Sequence, residues 1–148
     1  MAFNKIPTEN DVTDLDEDFF DDLQDNIETA FDDSVNGTVL YENNSGATES
    51  FELDVDSTGY KIADVYVGRN TGTVVGRIIR VLLNSNYFIP LDFIDNDGSV
   101  SILYHARIKI DGTQVTVSGN SNSIQITGSG TVGTSTNKLA IYKIVGFK

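Results

Sequence analysis

Two Asp-Gly pairs, Asp97-Gly98 and Asp111-Gly112, constrain this chain more tightly than any other feature of it. Asp-Gly suits the positive φ angles of a two-residue hairpin turn, and such a turn fixes which residues face each other on the strands it joins. Mirror pairing about Asp111-Gly112 sets Ile108 opposite Val115 and Ala106 opposite Val117; about Asp97-Gly98 it sets Phe93 opposite Ile102 and Leu91 opposite Tyr104. All eight are apolar or aromatic. The alternating run Val100, Ile102, Tyr104, Ala106, Ile108, Ile110 then lines one buried face, while His105, Arg107 and Lys109 share the other with Ser118, Thr116 and Gln114. A one-residue slip would turn the whole apolar set to water, so the agreement of the two turns predicts a three-strand meander from Leu91 to Val117. Pro90 falls opposite His105 at a hydrogen-bonded position, where its missing N–H would cost a ladder bond. The pairing is therefore expected to end near Leu91 or to bulge at Pro90.

The rest of the carboxyl-terminal part has the same texture. From Gly37 onward, short strands alternate with turn clusters every 8 to 12 residues or so, the pattern of an all-β domain. Val39 to Tyr41 reads as a first strand, Asn43-Asn44-Ser45-Gly46 as a turn, and Phe51, Leu53 and Val55 as the buried side of a second strand. Tyr60 to Val67 and Val74 to Leu83 carry more continuous apolar runs, as expected of strands covered on both faces. After the meander come a short strand at Ile124-Gln125-Ile126, a Gly/Ser/Thr loop from Gly128 to Asn137, and a last strand from Lys138 to Phe147. About nine strands over residues 37–148 point to an antiparallel β-sandwich.

Residues 1–36 read differently. An extended leader over residues 1–12 precedes a helix that Thr13 or Asp14 can cap and that runs to about Phe31 or Asp33. Phe20, Leu23, Ile27 and Ala30 follow a 3-4-3 spacing, a narrow apolar seam too short to stand alone as a coiled coil. The seam needs a surface, which is either this chain's own β-domain, symmetry-related copies, or a larger assembly. Asp18, Asp21, Asp22, Asp25, Glu28 and Asp32 crowd the opposite face, where a solvated surface, a basic docking surface or a divalent cation would relieve their repulsion.

Charge is divided the same way. Residues 1–56 hold 17 acids and one Lys, leaving 5 acids and 9 bases for residues 57–148, which sums to the net −12 of the 148-residue chain. Such a balance repels phosphate, and nucleic acid is not an expected partner. The absence of cysteine removes disulfides and thiolate chemistry. No apolar run approaches the roughly 20 residues that span a bilayer. The first residues carry no export or lipidation signal, so synthesis in the cytoplasm is expected.

Several motifs resemble chemical sites without completing them. Gly128-Ser129-Gly130-Thr131-Val132-Gly133 has the letters of a dinucleotide fingerprint but leads toward a strand rather than a helix amino terminus. Asp92, Asp95, Asp97 and Gly98 resemble part of a calcium loop, yet Phe93 and Tyr104 stand where its first ligand and its bidentate acid belong; Asp54 to Gly59 lacks a closing acid as well. His105 is the single histidine, without the partners that triads or zinc sites need. The six tyrosines make a weak sugar platform, and most acids lie in the helix. No catalytic, cofactor-binding or metal site is expected, and no residue is assigned to receptor binding.

The region from Tyr60 to Lys148 resembles the β-sandwich head domains that end tail-fibre, baseplate and other minor structural proteins of tailed bacteriophages. The resemblance is carried by Asp95-Asn96-Asp97-Gly98, the strand–Asp-Gly–strand unit Ile108 to Val117, the Ser/Asn-rich Gly119 to Ser123 turn, and the ending Leu139 to Lys148. It implies a homotrimer on a virion appendage that binds host surface saccharide or protein; the acidic amino-terminal segment, outside the resemblance, is expected to attach it to other virion proteins. The acidic helix departs from the long fibrous stems common before such heads. A capsid or tail decoration protein and a bacterial carbohydrate-binding module are the alternatives.

Overall fold

The computed structural model describes residues 17–71, 75–97 and 100–148. The leader, the candidate caps Thr13 and Asp14, and the turn residue Gly98 lie outside them. One helix, α1 (Glu17–Val35), precedes ten strands: β1 (Thr38–Ala47), β2 (Phe51–Glu52), β3 (Ile62–Arg69), β4 (Val75–Leu82), β5 (Ile89–Asp97), β6 (Val100–Asp111), β7 (Gln114–Ser118), β8 (Ser123–Thr127), β9 (Val132–Ser135) and β10 (Leu139–Phe147). All pairings are antiparallel. They form a first sheet in the order β1-β10-β3-β4 and a second in the order β2-β7-β6-β8-β9, with β5 on the free side of β6. The two sheets make the sandwich that the strand count predicts.

The expected meander is present, with its apolar face in the core. Ile102, Tyr104, Ala106, Ile108 and Ile110 are buried together with Leu91, Phe93 and Val115, and they meet Leu40, Val65, Val67 and Ile144 of the first sheet. Phe93 stacks on Tyr104 with ring centroids 4.7 Å apart. Each fully buried Leu or Ile contributes roughly 1.5–3 kcal/mol by leaving water, which makes this layer the main source of stability.

Both hairpin registers, however, differ from the mirror pairing. Asp111 pairs with Gln114 and Ile108 with Val117, so the turn is Gly112-Thr113. Asp97 pairs with Val100, Phe93 with Tyr104 and Leu91 with Ala106. The physical reason is visible at Gly112, which takes φ +59° while Asp111 does not have a positive φ. A turn with glycine at its first central position is the other hairpin turn matched to strand twist, and it needs only one left-handed residue. Partners shift by two residues, so every side chain keeps its face.

The shift also resolves Pro90. Hydrogen-bonded pairs alternate along the ladder, and the Asp92 carbonyl, which accepts from Arg77 outside it, marks Asp92–His105 and therefore also Pro90–Arg107 as non-hydrogen-bonded positions. Its nitrogen faces the open edge. The ladder accordingly continues past it to Ile89–Ile108, neither ending nor bulging.

Other boundaries differ too. β1 runs on through the expected Asn43–Gly46 turn, with register irregularities around it. β2 is only two residues long, because Asp56 caps a short 3₁₀ turn (Ser57–Gly59) that pulls the chain away. β3 and β4 are not covered on both faces: Ile78 and Leu82 of β4 are exposed. The expected Gly128–Asn137 loop contains β9, closed by a hydrogen bond from Thr127 N–H to the Thr131 carbonyl.

Side-chain pins hold the loops. The buried Ser57 hydroxyl donates to the Gly112 carbonyl at 2.7 Å, and Asn84 Nδ2 donates to the Ser57 carbonyl at 2.9 Å. Asn120 donates from Nδ2 to the carbonyls of Thr48 and Leu139, at 2.7 and 2.8 Å, and accepts from Leu139 N–H. That last pin fixes the base of the β8–β9 hairpin against the start of β10.

Candidate interaction surfaces

Among the described residues, large apolar side chains stand in water on three surfaces of regular structure, besides Tyr87 and Phe88 in the β4–β5 connection. The first is the seam of α1. Phe20, Leu23 and Ile27 are exposed, Ile27 at 60%, and Ala30 is half-buried. The helix ends in Asn36-Gly37; Gly37 has φ +59°, and a β-carbon there would lie 2.6 Å from Val145. Only glycine fits this close, left-handed exit, which fixes how the helix leaves the sandwich. The sandwich leaves the seam largely uncovered. Asp21, Asp25 and Glu28 face solvent, with Gln24 Nε2 donating to Glu28 Oε1 one turn on at 2.9 Å.

The second surface is the outer face of the first sheet. A shallow depression of about 560 Å³ there is lined by Val39, Ile62, Tyr66 and Phe147, with Arg80 and Lys143 among them. Both bases are engaged within the chain. Arg80 forms a two-pronged ion pair with Asp64 (2.7 and 2.8 Å) and lies 5.3 Å over the Phe147 ring; Lys143 lies 3.5 Å from Glu42. The Asp64 carboxylate holds the guanidinium above its ordinary pKa by hydrogen bonding and charge.

The third lies on the outer face of the second sheet. Ile94 of β5 pairs with Leu103 of β6, Leu103 with Ile124 of β8, and Ile126 of β8 with Val132 of β9. Paired residues share a face, so the five form one patch. Ile94 is 63% and Val132 67% exposed, with Ile124 and Ile126 exposed as well. β8 has reversed polarity: its isoleucines point out, and Ser123, buried with no partner for its hydroxyl, points in.

Two edges of this sheet, β5 and β9, face solvent differently. On β5, Pro90 offers no N–H, the Asp92 carbonyl accepts from Arg77 Nη1 at 3.2 Å, and Asp95 pairs with Arg69 at 3.5 Å. Edges are commonly protected by proline and charge in this way. β9 (Val-Gly-Thr-Ser) carries neither. Its residues Ser135, Gly133 and Thr131 bond to β8, so by ladder alternation the N–H and C=O groups of Val132 and Thr134 point outward.

The motifs with chemical letters fall into structural roles. His105 Nδ1 lies 2.5 Å from Asp92 Oδ1 on the outer face, beside Arg107. Asp92 and Asp95 project to opposite faces and do not converge, and among the described residues no three His, Asp or Glu side chains gather to hold a metal. In the Gly128–Gly133 stretch, residues 128–131 are the β8–β9 turn and Val132 and Gly133 begin β9. Tyr41, Tyr104 and Tyr142 are buried; Tyr142 donates to the Arg69 carbonyl at 2.6 Å, and burial raises its phenol pKa. Among the described residues no helix is long and apolar enough to cross a membrane.

Nothing in the sequence pattern joins Ile94, Leu103, Ile124, Ile126 and Val132 into the third patch. Its signal was the pairing of β8 with β6, which no turn rule reaches, because Gly119 to Asn122 separates β7 from β8. No family model, curated protein or solved structure matches this chain.

Proposed function

We propose that this chain is a non-enzymatic virion protein of a tailed bacteriophage, a tail-fibre, baseplate or head-fibre component that works as a homotrimer. In this reading the acidic amino-terminal segment attaches the protein to other virion proteins, and the β-domains associate. Their outer loops then contact host surface saccharide or protein. The observation that carries the assembly part is the amount of large apolar surface left outside the core, on a helix and on both sheets. Contiguous patches of this kind on a folded domain mark interaction surfaces. Multivalence supplies the reason for a trimer, since linked weak sites gain avidity without new contacts.

Sedimentation equilibrium at micromolar concentration is expected to give three times the chain mass of 16.1 kDa. A monomer would overturn the reading and favour a carbohydrate-binding module. Fluorescent protein that adsorbs to host cells supports the receptor-binding role, whereas a trimer that does not adsorb favours a decoration protein that cements its neighbours.

A further inference from the structure

The geometry points to the β8–β9 hairpin as the surface through which copies of this chain meet. The inference rests on the association of copies proposed above, not on their number, and adds which surface is used and what covers it: the same hairpin of another copy.

Three observations converge on it. The first is the reversed polarity of β8. A strand commits its apolar face to whatever excludes water, and register is strongly specified wherever one face is buried. β8 places Ile124 and Ile126 outside and Ser123 inside, and among the described residues no layer buries its isoleucines. Ile94, Leu103 and Val132 extend that face across four strands.

The second is charge. Between Asp111 and Lys138 the sequence contains no Asp, Glu, Lys or Arg. The net charge of −12 comes from residues 1–56, so repulsion between copies is concentrated in that part of the chain and absent from the hairpin. The hairpin is where they can approach without like charges facing, and where a partner recognised by its charge would find nothing to bind. An uncharged, apolar face beside an open strand edge fits the same surface of a second copy.

The third is the edge. β9 presents the outward N–H and C=O groups of Val132 and Thr134 with no proline or charge to block another strand, while β5 on the far side of the same sheet is guarded. An unguarded edge beside an apolar face is a template for pairing, and a soluble protein keeps one when something covers it. These side chains are already at the surface, so changing them leaves the core intact.

The test uses the full chain with Ile124→Lys and Ile126→Lys together, beside Leu23→Asp with Ile27→Asp in α1. Sedimentation gives the masses, and circular dichroism and the melting temperature report folding. The hairpin pair is expected to fall to a monomer with unchanged spectra, its dissociation constant raised at least about 100-fold, while the helix pair keeps its copies together. A dimeric wild type that the hairpin pair dissociates supports the hairpin and overturns the trimer. An oligomer that survives the hairpin change but not the helix change overturns the hairpin and leaves the assembly reading standing. A monomeric wild type overturns both.

Because the chain has no cysteine, Val132→Cys gives a second measurement should the lysine pair fail to fold. Its maleimide labelling is expected to slow at least about tenfold from dilute to concentrated protein relative to Ile78→Cys on the other sheet. Equal rates at both concentrations would overturn the inference.

Discussion

β5 and β9 border the same six-stranded sheet, yet one edge is closed by its own chain and the other is left open. On β5 the proline falls where no ladder bond is lost, Arg77 caps an outward carbonyl, and Arg69 neutralises an outlying Asp. β9 has small or apolar residues and nothing to deter a neighbour. The same contrast runs through the sheet's faces, since β6 turns its apolar residues inward and β8 turns them outward. A sheet that protects one edge so fully and neglects the other has a different use for the second. This separates side chains that hold the monomer together from those that join it to something else.

The contrast breaks most visibly in the core. Ile108→Ala, at a fully buried position of β6, should lose about 2–5 kcal/mol in urea unfolding of dilute protein, whereas Ile124→Ala on β8 should stay within about 1 kcal/mol. Equal losses would mean that both faces belong to one core. Proline scanning of β9 sharpens the edge comparison. Thr134→Pro removes an outward N–H, as Pro90 does on β5, and should separate the copies while the melting temperature of the dissociated chain changes little. Gly133→Pro removes a bond to β8 and should melt the hairpin, which amide exchange of Gln125 would report.

The smallest effect lies away from both edges and serves as a control. Asp56 accepts hydrogen bonds from Thr58 N–H (2.7 Å) and from its hydroxyl, which hold the carboxyl pKa below its ordinary 3.8. A depressed folded pKa gives stability that is present above the unfolded value and lost as pH falls through the folded one. Asp56→Ala should therefore melt slightly below wild type at neutral pH, and the two melting curves should converge as the pH drops below about 3.8.

The meander was legible because turn chemistry and alternation speak to adjacent strands, and its faces came out right at every described position. Its register did not, because Asp-Gly is compatible with two turns that differ in which residue comes first, and only the φ of Gly112 separates them. β9 was hidden in a Gly/Ser/Thr stretch whose strand character comes from pairing with β8 rather than from propensity. The spacing of Phe20, Leu23, Ile27 and Ala30 was readable as a seam, but spacing could not say that the sandwich would leave it exposed. The outer patch was the least legible of all. Ile124 and Ile126 read only as a short strand until β8 is paired with β6 through Ser101 and Leu103, which fixes their face.

Residue-resolved amide exchange on the assembled protein tests the edge account most directly, because both edges are read in one sample. The account predicts that Val132 and Thr134, whose N–H groups leave the β9 edge, exchange at least about tenfold more slowly than Ile94 and Asn96, whose N–H groups leave the β5 edge. Equal, fast exchange at all four in an oligomeric sample would contradict it.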